Sequence, residues 1–357
     1  MLYYCQFMRF DAITIKDIAT ALGLSKSTVS RALRDSQEIN PETKKLIRAY
    51  AEEHNYRPNP IALSLKEKRS RSIGIVVCEI ANSFFSQVIN GIESIAYDRG
   101  YNVIISQTHE SLEREMIGLN YLSSRSVDGL LISVSAETRN FDHLKNLHGK
   151  GLPIVFFDRV ANDIKTHKVT VDNFTGSYNA TKHLIENGFT RIASISLSQH
   201  SSITQGRLNG HKKALSDHHI PVDENLIRYC AHGGLFYEEL EKEMNALLKL
   251  KQRPDAIFAS SDKITMGVLR YFKSTGIHVP NDIAVVGFSN SETTDLLQPS
   301  LTVVRQPAFE MGKIATEMLI NIMEANRAVK VFENRMLPAE LVVRDSSIKR
   351  MAELLKN

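Results

Sequence analysis

From Ser72 onward the chain alternates strand-sized apolar runs with amphipathic helical stretches, and no other feature restricts its fold so strongly. Ile73–Cys78 is followed by a helical pattern over Phe85–Arg99 that stops at Gly100, then by a second strand pattern at Tyr101–Ile105. Further apolar runs occupy Val127–Ile132, Ile154–Phe157, Lys168–Val171, Arg191–Ile195, Ala256–Ala259 and Ile283–Gly287, with helical periodicity over 112–124, 176–187, 204–218, 236–250 and 262–274. Strands that are apolar throughout must be covered on both faces, as in a parallel sheet flanked by helices. The sequence Arg99-Gly100-Tyr101, a helix end running through glycine into a strand, recurs as Asn187-Gly188-Phe189 and hints at two similar lobes.

Such a core serves enzymes and binding proteins alike. No G-x-G-x-x-G follows a strand, and P-loop, G-x-S-x-G and H-E-x-x-H sequences are absent, so neither catalysis nor a cofactor is expected. His218 and His219 are adjacent, which points their side chains apart, and no further ligand cluster accompanies them to suggest a metal. Cys5, Cys78 and Cys230 are widely spaced and without C-x-x-C pairing, the pattern of free thiols. The longest apolar runs fall far short of the roughly 20 residues a membrane helix needs. Met1–Arg9 lacks the charged and apolar regions of a signal peptide, so residence in the bacterial cytoplasm is expected, with no membrane partner.

Before Ser72 the period is helical. Thr14-Ile15-Lys16-Asp17 reads as a capping box, with Ile15, Ile18, Ala19 and Leu22 on one face and Gly23 ending the helix. Ser25 then caps Lys26–Leu33, whose Val29, Ala32 and Leu33 can pack while Lys26, Ser27, Thr28 and Arg31 stay outside. A third helix starts at Asn40 as cap with Pro41 at its first position and runs to about His54. Two short helices around a glycine turn, braced by a third, make a helix-turn-helix, which lays its second helix in the major groove. Arg31 can pair with guanine O6 and N7, Lys26 and Ser27 can reach base edges, and Thr28 a phosphate. The alternative for this pattern is a small bundle with a solvated polar face. Charge bears on the choice: residues 1–70 carry twelve Lys/Arg against eight Asp/Glu, which is the whole chain's excess of +4.

Tyr56-Arg57-Pro58-Asn59-Pro60-Ile61-Ala62-Leu63-Ser64-Leu65-Lys66 offers Asn59 as cap and Pro60 as first residue of a helix too short to persist alone. A plain linker would also fit, but the basic run Lys66–Arg71 favours a helix ordered on DNA.

Thr14 through Gly74 closely resembles the headpiece and hinge of the LacI/GalR family of regulators. The resemblance implies that Lys26, Ser27 and Arg31 contact bases and that Leu65 wedges into the minor groove at the operator centre. Thr14, Ser25 and Thr28 in the headpiece, and Asn59, Ala62 and Lys66 in the hinge, complete the DNA-binding set. Leu63 departs from the family, where many members carry Arg.

The rest of the chain resembles the family's effector core, built like periplasmic sugar-binding proteins from two doubly wound parallel-sheet lobes around a cleft. By that resemblance Asn82-Ser83-Phe84-Phe85 is the loop whose aromatics stack on the ligand, with Ser83 in place of the usual Pro. Asp158 and Arg159 fork onto ligand hydroxyls, Arg207 clamps from the other side, and Asp262 caps a helix rather than binding. Ser261 and Ser289 stand where many sugar binders have Asn and Asp, and Gln306 is a cleft-side polar residue near a crossover. Loops after the carboxyl ends of parallel strands are where such folds hold small molecules.

The expected architecture is therefore an all-α headpiece over 1–58, a hinge over 59–71 and an α/β core over 72–357. Its first lobe comprises about 72–172 plus 307–326, and its second about 173–305 plus 327–345. The expected function is a transcriptional repressor that binds a near-palindromic operator as a homodimer and is released by a sugar or sugar derivative. Ile348–Leu355 is only two turns of amphipathic helix, so no tetramerising heptads follow. A free-standing sugar-binding protein would carry an export signal, and an enzyme would carry a catalytic constellation.

Overall fold

Thr14 opens the first helix with the reciprocal cap its sequence promises: Asp17 N donates to Thr14 Oγ1 at 3.3 Å, and Thr14 N donates back to Asp17 Oδ2 at 2.9 Å. The structure, a computed structural model, describes residues 13–56, 69–124, 127–199, 201–325, 327 and 329–349. Cys5, the hinge residues Asn59, Ala62, Leu63, Leu65 and Lys66, and the tail from 350 lie outside the described residues. The chain divides into two units, 1–70 and 71–357.

In the first unit, α1 (Ile15–Ala21), α2 (Lys26–Leu33) and α3 (Pro41–Glu53) close around Ile18, Ala19, Val29, Ala32, Ile47 and Ala51, all buried. Gly23 carries the left-handed turn between α1 and α2 at φ 64°, where a side chain would be strained. The apolar residues keep the i, i+3, i+4 spacing that makes three short amphipathic helices mutually dependent.

The second unit holds two six-stranded sheets. Strands β1 (Ser72–Val77), β2 (Asn102–Gln107), β3 (Gly129–Ile132), β4 (Ile154–Phe157), β5 (Lys168–Val171) and β11 (Asn334–Leu337) form one, in the order β11-β5-β4-β3-β1-β2, parallel throughout. Strands β6 (Ile192–Ser196), β7 (Ile227–Tyr229), β8 (Ala256–Ala259), β9 (Ala284–Phe288), β10 (Thr302–Arg305) and β12 (Glu340–Val342) form the other, in the order β12-β10-β9-β8-β6-β7. Only β12 runs antiparallel to its neighbour there. Each sheet has an apolar cluster on either face, so its central strands β3, β4, β8 and β9 are buried from end to end, while the border strands β2, β11 and β12 are not.

One expected boundary fails. Residues 327–345 do not all belong to the second lobe, because Asn334–Leu337 pairs with β5 on the first sheet, and Asp172 N donates to Leu337 O at 2.8 Å. Only from Glu340 does the chain join the second lobe. The cause is that β11 is an edge strand with a single buried residue, Leu337, so its sequence carries no apolar run to announce its sheet. The lobes are thus joined at three places: Asp172, Gln306-Pro307 and Pro338-Ala339.

Two helices fix the first lobe's outer face. The helices α4 (Ser83–Asp98) and α11 (Ala308–Glu324) touch backbone to backbone, because a methyl at Gly91 would overlap Phe309 O and one at Gly312 would overlap Val88 O. Between α4 and α11 in chain order come α5 (Leu112–Ser124), α6 (Asp142–Gly149), α7 (Asn173–Glu186), α8 (Ser202–Asp217), α9 (Tyr237–Leu248) and α10 (Asp262–Thr275). No helix among the described residues is long and apolar enough to cross a membrane.

Candidate functional site

The first unit presents one polar helix face. Ser25 Oγ accepts from Thr28 N at 3.1 Å and lies 2.7 Å from Ser27 Oγ and 2.8 Å from Thr28 Oγ1, so three hydroxyls cluster at the start of α2. Ser25, Lys26, Ser27 and Arg31 are exposed, while Val29 and Ala32 on the opposite side anchor the helix. Arg31 Nη1 donates to Glu38 Oε2 at 2.8 Å, a contact the sequence did not announce because it spans the turn after α2. Thr14 is already engaged on both sides of its hydroxyl by Asp17, as a helix cap.

In the second unit, the carboxyl ends of both parallel sheets face a cleft between the lobes. It holds two adjoining small spaces, and a wider mouth beside Ser135, Asn162 and Gln205. The two inner spaces share Asn82, Phe85, Arg159, Leu197 and Ser261 as walls. All nine residues expected around a ligand line them: Asn82, Phe84, Phe85, Asp158, Arg159, Arg207, Ser261, Ser289 and Gln306.

Asn82 caps α4 through a bond from Phe84 N at 2.9 Å, which sets Phe84 and Phe85 edge to face with ring centres 5.2 Å apart. Asp158, directly after β4, sits at φ 59°, a left-handed conformation that costs a non-glycine residue strain and persists only where the surroundings impose it. Its carboxylate receives Ser133 Oγ at 3.4 Å, and burial raises its pKa.

Arg159 does not project freely. Its guanidinium forks onto Glu110, Nη1 to Oε2 at 2.5 Å and Nη2 to Oε1 at 2.9 Å, while Nη1 also lies 3.3 Å from Cys78 Sγ. Burial opposes ionisation of Glu110, but the Arg159 charge and its hydrogen bonds outweigh that and hold the carboxyl below its ordinary range. Ala136 N donates to the same carboxylate at 2.8 Å. The Nε of Arg159 and Nε2 of Gln306 are buried without a hydrogen-bond partner among the described residues, which leaves two uncommitted donors beside the cleft.

Arg207 is likewise held, Nε on Asn173 Oδ1 at 2.7 Å, Nη1 on Ser260 O, and its guanidinium 3.7 Å above the Phe288 ring. Burial lowers its pKa to about 9.

Asp262 needs a correction. It does not cap α10: Ser261 does, accepting from Ile264 N at 3.3 Å, and Asp262 instead lines the cleft and accepts from Ser289 Oγ. Residue 261 is the last before the helical turn, so its side chain alone can reach back to the orphan N–H groups.

The sequence reading missed Glu110, Glu79, Lys263 and Asn290. Glu79 and Lys263 pair across the lobes at 2.8 Å, and Asn290 Nδ2 donates to Gln87 Oε1 at 2.8 Å and to Gln306 O at 2.7 Å. Glu110 was findable, because it lies just past the carboxyl end of β2, where strand order places ligand contacts.

Residues 14–59 match the family described as bacterial regulatory proteins, lacI family, and residues 181–347 match the periplasmic binding protein-like domain. The HTH-type transcriptional repressor PurR of Photobacterium profundum is 34% identical over 335 residues, covering 93% of this chain and 98% of that protein. The transcriptional regulator CelR, solved with cellobiose, aligns at 28% identity with a TM-score of 0.69 over 94% of this chain and 99% of its own. The lac repressor dimer bound to operator and the anti-inducer ONPF shares the fold, with a TM-score of 0.77 at 24% identity, over 95% of this chain and 100% of that one.

Proposed function

This chain belongs to the LacI family of bacterial regulatory proteins, and from that premise we propose that it is a cytoplasmic transcriptional repressor that binds a near-palindromic operator and is switched by a sugar or sugar derivative. One observation carries the reading. A single chain joins an exposed Lys26-Ser27-Arg31 face on a buried three-helix core to an interlobe cleft where two buried donors, Arg159 Nε and Gln306 Nε2, lack partners among the described residues. Lys26, Ser27 and Arg31 read bases and Thr28 a neighbouring phosphate, with Thr14 and Ser25 completing the headpiece's DNA-binding set. Residues 59–71 serve as the hinge, in which Leu65 wedges into the minor groove and Asn59, Ala62 and Lys66 complete the DNA-binding set.

Hydroxyl-bearing ligands suit the cleft because Asp158 accepts, Arg159 Nε and Gln306 Nε2 donate, and Phe84 and Phe85 offer apolar faces. CelR's complex with cellobiose favours a sugar over other polyols. Closure of the lobes on the ligand and the hinge's readiness for DNA are then two ends of one equilibrium, shifted by differential affinity. A homodimer fits the exposed Ile105, Ile117 and Tyr121, which line a groove of about 680 Å³ on β2 and α5.

Selection of DNA from a random library on the purified protein tests the reading. Enrichment of a near-palindrome, with an affinity that one sugar of a panel weakens, supports it; no enrichment at moderate salt, with or without the panel, overturns it.

A further inference from the structure

Resting on the reading of the interlobe space as an effector cleft, we infer that Glu110 sets the charge of the ligand: by occupying both arms of Arg159 it restricts the cleft to uncharged molecules and excludes phosphate esters and other anions.

Three permanent cations line the inner cleft, and each is already neutralised or engaged. Arg159 is forked on Glu110, Lys263 is paired with Glu79 at 2.8 Å, and Arg207 is spent on Asn173, Ser260 O and the Phe288 ring. Two further carboxylates, Asp158 and Asp262, face the same space with only the hydroxyls of Ser133 and Ser289 on them. Carboxylates therefore outnumber permanent cations four to three among these lining residues.

An arriving phosphate would have to break the buried Arg159–Glu110 pair or the partly exposed Lys263–Glu79 pair, or draw Arg207 off the carbonyl oxygens that hold it, and would meet Asp158 and Asp262 as it did so. A polyol meets no such cost, because it donates to Asp158 and accepts from Arg159 Nε and Gln306 Nε2.

Glu110 is placed for this task at a conformational cost. His109 and Glu110 are consecutive residues at φ 50° and 65°, and neither is glycine. Two left-handed residues in a row turn the chain just past β2, and the Glu110 carboxylate there meets Arg159, 49 positions further along. The backbone bond from Ala136 N at 2.8 Å then fixes that carboxylate against rotation.

Sulfate serves as the test anion, titrated into the full-length protein at constant ionic strength against chloride while the melting temperature is followed. The wild type is expected to give no saturable shift. Glu110→Gln, which frees the Arg159 fork, is expected to gain a saturable rise of about 2–4 °C at tenfold excess over the dissociation constant, and the double variant Glu110→Gln, Arg159→Met is expected to lose it. A saturable rise of equal size in the wild type, or none in a folded Glu110→Gln, overturns the assignment.

Removing one member of a buried pair can itself unfold a protein, so a second arm uses the wild type alone. Ribose, glucose and adenosine are each compared with their monophosphates, and any phosphate that stabilises more than its parent overturns the assignment. Operator selection reads the headpiece, so its failure would be visible separately from either arm.

Discussion

Lys263, at the start of α10 in the second lobe, holds its ammonium 2.8 Å from the Glu79 carboxylate after β1 in the first, and so spans the cleft as an ion pair between lobes. The pair is partly exposed, 38% for the lysine side chain and 22% for the glutamate, which limits its strength. Its position gives it leverage on closure rather than on folding. Lys263→Met is expected to weaken effector affinity by up to about fivefold, measured calorimetrically, with little change in melting temperature. An affinity unchanged within error would show that the pair plays no part in closure.

Arg31 and Glu38 make the corresponding contest in the headpiece. An exposed pair of this kind contributes little to folding, so it should yield readily to guanine. Arg31→Ala is expected to cost about 1–3 kcal/mol on the selected operator and far less on competitor DNA, as read by gel shift. Glu38→Gln is expected to tighten both modestly, because it removes a negative charge beside the reading helix. Equal losses on operator and competitor for Arg31→Ala would remove Arg31 from base reading.

Gly312 lies against the backbone of Val88 and Ile92 where α11 packs on α4, and a side chain there would run into Val88 O. Backbone cannot retreat as a flexible side chain does, so Gly312→Ala is expected to cost about 1–3 kcal/mol, seen as a lower denaturation midpoint in urea at unchanged slope. DNA specificity should be retained in the folded fraction.

His211 reports on acid sensitivity. It is fully buried on α8, 3.0 Å from Thr181 Oγ1 and stacked on Phe258, and burial lowers its pKa to about 4. The unfolded chain takes up this proton near pH 6.5 and the folded chain does not, so the contribution is whole above pH 6.5 and is lost as pH falls to about 4. The depression corresponds to roughly 3 kcal/mol over that window. His211→Gln is expected to flatten the pH dependence of the denaturation midpoint between pH 6.5 and 4. An undiminished slope would mean that other groups carry it.

What the sequence revealed and what it withheld divide along physical lines. The caps at Thr14, Ser25 and Asn40 and the strands Ile154–Phe157, Lys168–Val171 and Ala256–Ala259 were readable because each is decided within a few residues. The helix Ala308–Glu324 and the short strands Ile227–Tyr229 and Thr302–Arg305 were not among the elements read. Nor could β11 be assigned, since an exposed edge strand takes its sheet from its partner. In the cleft, all nine residues expected around a ligand line the space, but the groups that hold them were hidden. Glu110 reaches Arg159 only because two successive residues adopt left-handed φ, and Lys263 reaches Glu79 across 184 positions. Neither distance nor dihedral is written in a spacing.

The three passages between the lobes also mean that neither lobe is a piece that can be cut out. The first draws on 72–171, then on Ala308–Glu324, then on Asn334–Leu337, and the second takes what lies between and after. A stop codon placed just beyond Glu324 would remove barely a tenth of the chain, yet it would strip one border strand from each sheet at once. Both halves would fail together, so a nonsense change near the end of the coding sequence should abolish the folded core as completely as one near its middle.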